Sequence, residues 1–210
     1  KPAPRLLSLH GGAFQLDLTQ VPLVGSPEAP YVIVQLFDYS CQHCRRMHPV
    51  LRDALQALSN QLAIVCLPMP LATNCNPLIK HVLPDHIYAC AYAKSALALW
   101  HADRSKLPEL DEWAFAPTNR LSPPAFANEA IRLVGTNAYK EALKSPWVQE
   151  QLALDIRIFE TNWVHYRKSS LPQLLIGTNI VTGILRSTND FYRLLGAQFP
   201  IRLPEGATNR

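Results

Sequence analysis

Cys41 and Cys44 stand two residues apart in the run Cys41-Gln42-His43-Cys44, and Arg45 and Arg46 follow at once. Two sulfurs one helical turn apart are close enough to bridge, and such a bridge can be exchanged with another dithiol. That chemistry needs one of them as a thiolate, because the thiolate is the nucleophile and free cysteine is mostly protonated at neutral pH. The first turn of a helix favours the anion through its unpaired N–H groups and the positive end of the macrodipole. His43, Arg45 and Arg46 add donors or positive charge within the same turn. Cys41, the more exposed of the two in this reading, is the attacking sulfur and Cys44 the resolving one.

Neighbouring elements have to set Cys41 at that helix start. Tyr31-Val-Ile-Val-Gln-Leu-Phe37 is short, nearly uninterrupted and rich in β-branched and aromatic residues, which predicts a strand buried on both faces. Met47, Leu51, Leu55 and Leu58 then recur at helical spacing. Residues 62–67 form a second apolar run, stopped by Pro68 and Pro70. Residues 31–67 therefore read as a β-α-β unit with parallel strands and a right-handed crossover. A Cys-x-x-Cys can also be half of a zinc site or a plain structural bridge. Zinc would need a second close pair, which Cys66, Cys75 and Cys90 do not offer, so no metal is assigned; the structural bridge stays open.

The motif, its strand and its helix resemble the active site of the thioredoxin-like superfamily, and the Cys-x-His-Cys form resembles its DsbA-like branch. Pro49 falls where such proteins carry a kink proline, and Gly25-Ser26-Pro27-Glu28-Ala29-Pro30 is similar to the lead-in before their catalytic strand. Gln42 departs from the proline common at that position, and because intervening residues tune the redox potential, the direction of electron flow stays open. Gln35, six residues before Cys41, occupies the place of a buried acid that assists proton transfer to the second cysteine in the family. An amide cannot titrate. Asp38 is a candidate substitute, set against its reading as an exposed turn aspartate.

The resemblance implies an α/β thioredoxin fold, a central mixed β-sheet flanked by helices, with an α-helical insertion. Residues 13–84 and 171–197 would form the thioredoxin-like domain, 85–170 the inserted helical subdomain, and 1–12 and 198–210 loose terminal arms. Within the insertion, helices are expected over 86–100, over 123–134 before Gly135, from an Asn137 cap to 143, and from near Pro146 with an apolar stripe of Leu152, Ile156, Phe159, Trp163 and Tyr166. A half-exposed first strand is expected over 14–18, a further strand over 179–185, and a final helix capped by Thr188. Ser170-Leu171-Pro172, just ahead of an apolar strand, is similar to the loop whose cis proline packs beside the cysteines. On that resemblance the Leu171–Pro172 bond is cis, and Leu171, Pro172 and Gln42 contact substrate. Cys75-Asn76 followed by His86-Ile-Tyr-Ala-Cys90 is similar to a pattern in exported DsbA-like proteins, which implies a structural disulfide between Cys75 and Cys90. Two free thiols, or a second redox pair, are the alternatives. Cys66, inside an apolar run, is expected to be free and unreactive.

With 210 residues, 48% of them hydrophobic, the chain can fill one core, and no run of about 18 apolar residues suggests a membrane span or stable insertion. The net charge of +4 is scattered, without the basic blocks that mark nucleic-acid binding, so nucleic acid is excluded as a partner. No cofactor is called for. The reading is a thiol:disulfide oxidoreductase acting on protein substrates with cysteines, as an oxidant of exported proteins, with Cys41, Cys44 and His43 as catalytic residues. The resemblance further implies a membrane redox partner and a periplasmic or otherwise extracytoplasmic location, any signal peptide or anchor having been removed. A disulfide reductase, an isomerase and a soft-metal chaperone holding copper(I) on Cys41 and Cys44 are the competing readings.

Overall fold

Two apolar runs and the helix between them set the frame. In the computed structural model, which describes residues 4–204, strand β4 (Tyr31–Phe37) and strand β5 (Leu62–Pro68) pair in parallel, with Ile33 opposite Ile64 and Gln35 opposite Cys66. Helix α1 (Gln42–Ala57) makes the crossover. Almost every side chain of both strands is buried, and each apolar one contributes about 1.5–3 kcal/mol on leaving water. The face that α1 buries carries Cys44, Met47, Leu51 and Ala54, so the helical periodicity that hides the core residues also hides the second cysteine. Pro49 lies within α1 and lacks the N–H that would bond to Arg45, yet the helix runs through it.

Three more strands complete the sheet. β3 (Leu23–Val24) runs antiparallel to β5, while β6 (Gln173–Ile176) runs antiparallel to β4 and pairs with β7 (Asn179–Thr182), giving the order β3-β5-β4-β6-β7. The turn after β3 needs Gly25: its φ is +100°, and a Cβ there would stand 2.9 Å from the Leu62 carbonyl oxygen. Helix α7 (Thr188–Gln198) packs beside α1.

Between β5 and β6 the chain is helical: α2 (Ala89–Ala102), α3 (Leu107–Phe115), α4 (Pro123–Val134), α5 (Thr136–Lys144) and α6 (Pro146–Tyr166). Helices α3 to α6 all contact α2, and α6 and α2 also contact β5. Small alanine side chains around α2 let several neighbours approach at once, and the helix is buried around most of its circumference.

Several expectations change. Residues 1–12 are not all a loose arm: β1 (Leu6–Leu9) pairs antiparallel with β2 (Phe14–Asp17) as a separate two-stranded sheet, because Gly11 and Gly12 take positive φ and turn the chain back. The strand expected over 14–18 thus lies outside the central sheet. Helix α2 begins at Ala89, after a short 3-10 turn over Pro84–His86, since the bridge at Cys90 and the two residues before α2 hold the chain in turns. The caps of α5 and α7 are Gly135 and Ser187 rather than Asn137 and Thr188; the Ser187 hydroxyl accepts from the Asp190 N–H. The α6 stripe is buried at Leu152, Ile156 and Phe159 but ends there, with Trp163 and Tyr166 exposed. The start of the expected C-terminal tail is pinned: the Arg202 N–H donates to Gln61 Oε1 at 2.9 Å, and Tyr31 donates its hydroxyl proton to the Pro200 carbonyl at 2.9 Å. The rest of both expected arms, residues 1–3 and 205–210, lies outside the described residues.

Candidate active site

Cys41 is the N-cap of α1, where β4 has ended and the helix N–H groups are still unpaired. The Cys44 N–H points at its Sγ, 3.4 Å away. Cys41 is 9% exposed and Cys44 is fully enclosed, and both are free thiols. The Cys41 pKa is lowered to about 6, first by the hydrogen bond from the Cys44 thiol; burial opposes this, and the N–H groups of Cys44 and His43 reinforce it. Burial pushes the Cys44 thiol well above its ordinary value, and donating its proton to Cys41 adds to that. Within one turn the fold separates a sulfur whose ionisation is favoured, at the edge of the buried region, from a fully enclosed one whose ionisation is disfavoured.

The charges named in the motif are used differently from one another. The His43 side chain is exposed, and what reaches Cys41 is its main-chain N–H. Arg45 donates through Nη1 to the carbonyls of Ala116 and Asn119, at 2.9 and 3.0 Å, and so ties the start of α1 to the helical segment. Arg46 is exposed and lines a cleft of about 650 Å³ with Gln42, Ser40, Asp85, Tyr88 and Arg120. Leu83, Ile87 and Tyr88 are exposed on the segment that borders it. The cleft opens beside the cysteines, between the start of α1 and the helices.

Asp38 is not an exposed turn residue. It is 2% exposed, because its carboxylate closes the site from three directions: Oδ1 accepts from the Ser40 N–H at 2.7 Å, and Oδ2 accepts from the Leu71 N–H at 2.8 Å and from His86 Nδ1 at 2.9 Å. Its main chain touches both cysteines, its N–H directed at Cys44 Sγ (3.5 Å) and its carbonyl accepting from the Cys41 N–H (3.0 Å). The hydrogen bond to Asp38 raises the His86 pKa against the effect of burial, and the charges of Asp38, Cys41 and Asp85 raise it further. In the sequence His86 stood only as part of the pattern around Cys90, and nothing marked its place beside Asp38, since it arrives from 48 residues away.

The Leu171–Pro172 peptide bond is cis, and both residues are buried. Leu36 pairs with Gln173, which brings this loop alongside the end of β4 from which the cysteine turn departs. Pro172 accepts from the Gly183 N–H at 3.0 Å, whereas the main chain of Leu171 makes no hydrogen bond among the described residues. Cys75 and Cys90 are bridged, with an S–S distance of 2.00 Å. Cys66 is free and buried, its thiol pushed well up by burial. Gln35 and Cys66 line a small cavity of about 130 Å³ with Asp111, whose carboxyl is raised by burial to about 7 despite the hydroxyl of Tyr39 at 2.6 Å. Among the described residues no cluster of three or more His, Cys, Asp or Glu side chains is arranged to hold a metal ion, and no helix is long and apolar enough to cross a membrane.

No family model matches the sequence, and no curated protein matches it. Solved structures do. The catalytic domain of Proteus mirabilis ScsC is similar at a TM-score of 0.64 and 19% identity, over 85% of this chain and 89% of that one. The thiol-disulfide exchange protein alpha-DsbA2 from Wolbachia pipientis is similar at a TM-score of 0.68 and 18% identity, over 86% and 88%. Oxidised BdbD from Bacillus subtilis is similar at 0.63 and 12%, over 86% and 94%. At these identities the likeness is one of fold. Together with the mixed sheet and the helices between β5 and β6, it establishes that this chain has a thioredoxin-like fold of the DsbA type, with a helical insertion.

Proposed function

We propose that this protein is a thiol:disulfide oxidoreductase that oxidises cysteine pairs in exported proteins. The observation that carries the reading is the division of the motif into an N-capping Cys41 with a pKa of about 6 and an enclosed Cys44 whose pKa is raised. Stabilising the thiolate favours the reduced form of the pair, which makes its disulfide the stronger oxidant.

In the oxidised protein a substrate thiolate attacks Cys41 Sγ, the bond between Cys41 and Cys44 breaks, and Cys44 leaves with the electron pair and takes up a proton. The Asp38 N–H, directed at Cys44 Sγ, stabilises the departing sulfur. A second substrate thiolate then attacks the substrate sulfur of the mixed disulfide, and Cys41 leaves as a stable thiolate. The substrate loses two electrons and gains a disulfide; the protein gains both electrons as a dithiol. A membrane partner able to donate a disulfide resets the pair.

In this reading Cys41 and Cys44 are catalytic, His43 supports Cys41 through its main chain, and Gln42 lies where substrate enters from the cleft. The free main chain of Leu171, held by cis Pro172, pairs with an extended substrate segment. The bridge between Cys75 and Cys90 is structural and suits an oxidising, extracytoplasmic compartment. Comparison with known structures supports thiol exchange through the names of the proteins found, one of which is itself a thiol-disulfide exchange protein. The test is to mix the oxidised protein with a reduced, unfolded protein substrate and follow disulfide formation, alongside reduction of insulin by dithiothreitol. Faster oxidation by the wild type, absent in Cys41→Ser, is expected. Rapid insulin reduction with no oxidase activity would reverse the direction, and the absence of both would overturn the reading.

A further inference from the structure

Asp38 sets a problem that the exchange mechanism alone does not solve. A carboxylate 2% exposed, with its main chain in contact with both cysteines, is a negative charge placed where the reaction must produce another. Like charges in a low-dielectric site oppose each other's ionisation. Left alone, Asp38 would disfavour the Cys41 thiolate, and its charge does act on Cys41 in that direction.

We propose that His86 is a positioning residue for the Cys41 and Cys44 site: seated on Asp38, its imidazolium cancels the buried carboxylate, so that protonation of His86 and the redox state of the cysteines are linked. The geometry carries this. His86 Nδ1 stands 2.9 Å from Asp38 Oδ2, an oxygen that also holds the Leu71 N–H, so the carboxylate accepts and the imidazole donates. The His86 side chain is 11% exposed and that of Asp38 1%, so solvent screens the pair little. The bridge from Cys75 to Cys90 encloses the segment carrying His86, and buried Asn76 fixes that segment by donating to the Pro70 carbonyl at 2.8 Å.

Other charged and titratable groups around the pair do not replace His86. Asp85, on the same 3-10 turn, is negative; Tyr92 of α2 faces Asp38 with its ionisation suppressed by burial; Tyr88 lies at the cleft. On α1, Arg45 is committed to two carbonyls, and Arg46, like Arg120 beyond α3, lines the cleft rather than the carboxylate. Cys41 is the remaining partner, and its attraction to the imidazolium is reciprocal: oxidation removes the thiolate and with it part of what holds the proton on His86.

The inference deepens the exchange reading and rests on it only for its biological meaning, so its test reads ionisation while exchange is assayed separately. In the reduced protein, thiolate absorbance near 240 nm is followed against pH for the wild type, His86→Gln, Asp38→Asn and the double variant. His86→Gln is expected to move the Cys41 midpoint upward by about one unit, about tenfold less thiolate below the midpoint, and adding Asp38→Asn to bring it back. A merely structural role would lower stability in both and restore nothing. A midpoint unchanged by His86→Gln, or not returned in the double variant, overturns the proposal. Should a variant fail to fold, the unaltered protein decides: the His86 ring-proton titration by NMR is expected at lower pH in the oxidised protein than in the reduced one, and identical titrations overturn the proposal. Exchange retained with no such linkage would remove this inference alone; loss of exchange in the wild type would remove the function.

Discussion

The chain holds two cysteine pairs beside helix starts, and they take opposite forms. Cys41 caps α1 from just outside it, so the first N–H groups point at its sulfur; it is a free thiol ionised near pH 6. Cys90 is the second residue inside α2, its sulfur lies towards a carbonyl, that of Ala72 at 3.8 Å, and it is bridged to Cys75 fifteen residues back. Proximity to a helix N-terminus is therefore not enough to make a reactive cysteine. What counts is whether donors or acceptors converge on the sulfur and whether its partner is a neighbour in the same turn or a distant residue that closes a loop. The first arrangement favours an anion that must be free to react, and the second constrains the unfolded chain.

The largest separation between the pairs is expected in activity. Cys41→Ser should reduce disulfide transfer to a reduced protein substrate to background, whereas Cys75→Ala with Cys90→Ala, assayed where it is folded, should retain it. Loss of transfer in the folded double variant would break the comparison, because the second pair would then belong to the electron path.

Alkylation sharpens the same contrast. With iodoacetamide the rate at Cys41 should rise with pH and be half-maximal near pH 6, while Cys66 and Cys44, both pushed up by burial, stay unmodified across that range. The advantage of Cys41 over an ordinary thiol is best sought near pH 6 rather than above pH 7, since a low-pKa thiolate is also the weaker nucleophile and its lead shrinks to a few-fold once ordinary thiols begin to ionise. Mass spectrometry of the labelled protein gives both the site and the midpoint.

Stability should separate the pairs in the other direction. Closing a loop of about 15 residues removes unfolded-chain entropy worth about 3 kcal/mol, so Cys75→Ala with Cys90→Ala should lower the free energy of unfolding by about that amount in urea titrations. Because the same loop carries His86, the double variant should also move the Cys41 midpoint upward, by no more than His86→Gln does. A stability loss with no change in the midpoint would mean that the segment keeps its seat on Asp38 without the bridge.

Much of this was legible in the sequence where one short stretch decides the structure. Tyr31–Phe37 is apolar but for Gln35, Met47 and Leu51 repeat at helical spacing, and those two patterns alone place Cys41 at the junction. The strand at Leu6–Leu9 was hidden because its four residues need a partner across a glycine turn to become a strand at all. Asp38 was misread for a related reason: an aspartate after a strand is an ordinary turn residue until Leu71 and His86, 33 and 48 positions on, come to enclose it. The motif drew attention to its own histidine, yet the imidazole of His43 lies in solvent and the one beside the acid comes from inside the loop that the second bridge closes. Local pattern sets elements; burial of a polar group depends on contacts that no local pattern records.

The most specific effect lies in how stability depends on pH. In the reduced protein Cys41 has a folded pKa of about 6 against an ordinary value of 9.0, so its contribution is fully present above the ordinary value and is lost as pH falls towards 6. His86 has the opposite sign: its folded pKa is raised above 6.5, so its contribution is complete below 6.5 and is lost as pH rises through the folded value. Oxidation abolishes the first contribution outright and weakens the second. Urea titrations of reduced and oxidised protein at matched pH should therefore give a reduced-minus-oxidised difference that falls from pH 9 to pH 6, with a shallower slope at the acid end, where Cys41 nears its folded pKa and His86 gains its proton. In His86→Gln the fall should be smaller and should level off at higher pH, because the Cys41 midpoint is expected to lie about one unit higher. For Cys75→Ala with Cys90→Ala the fall should also remain, because the bridge it lacks does not titrate, and a flat difference in the wild type would show that Cys41 ionises no more readily folded than unfolded.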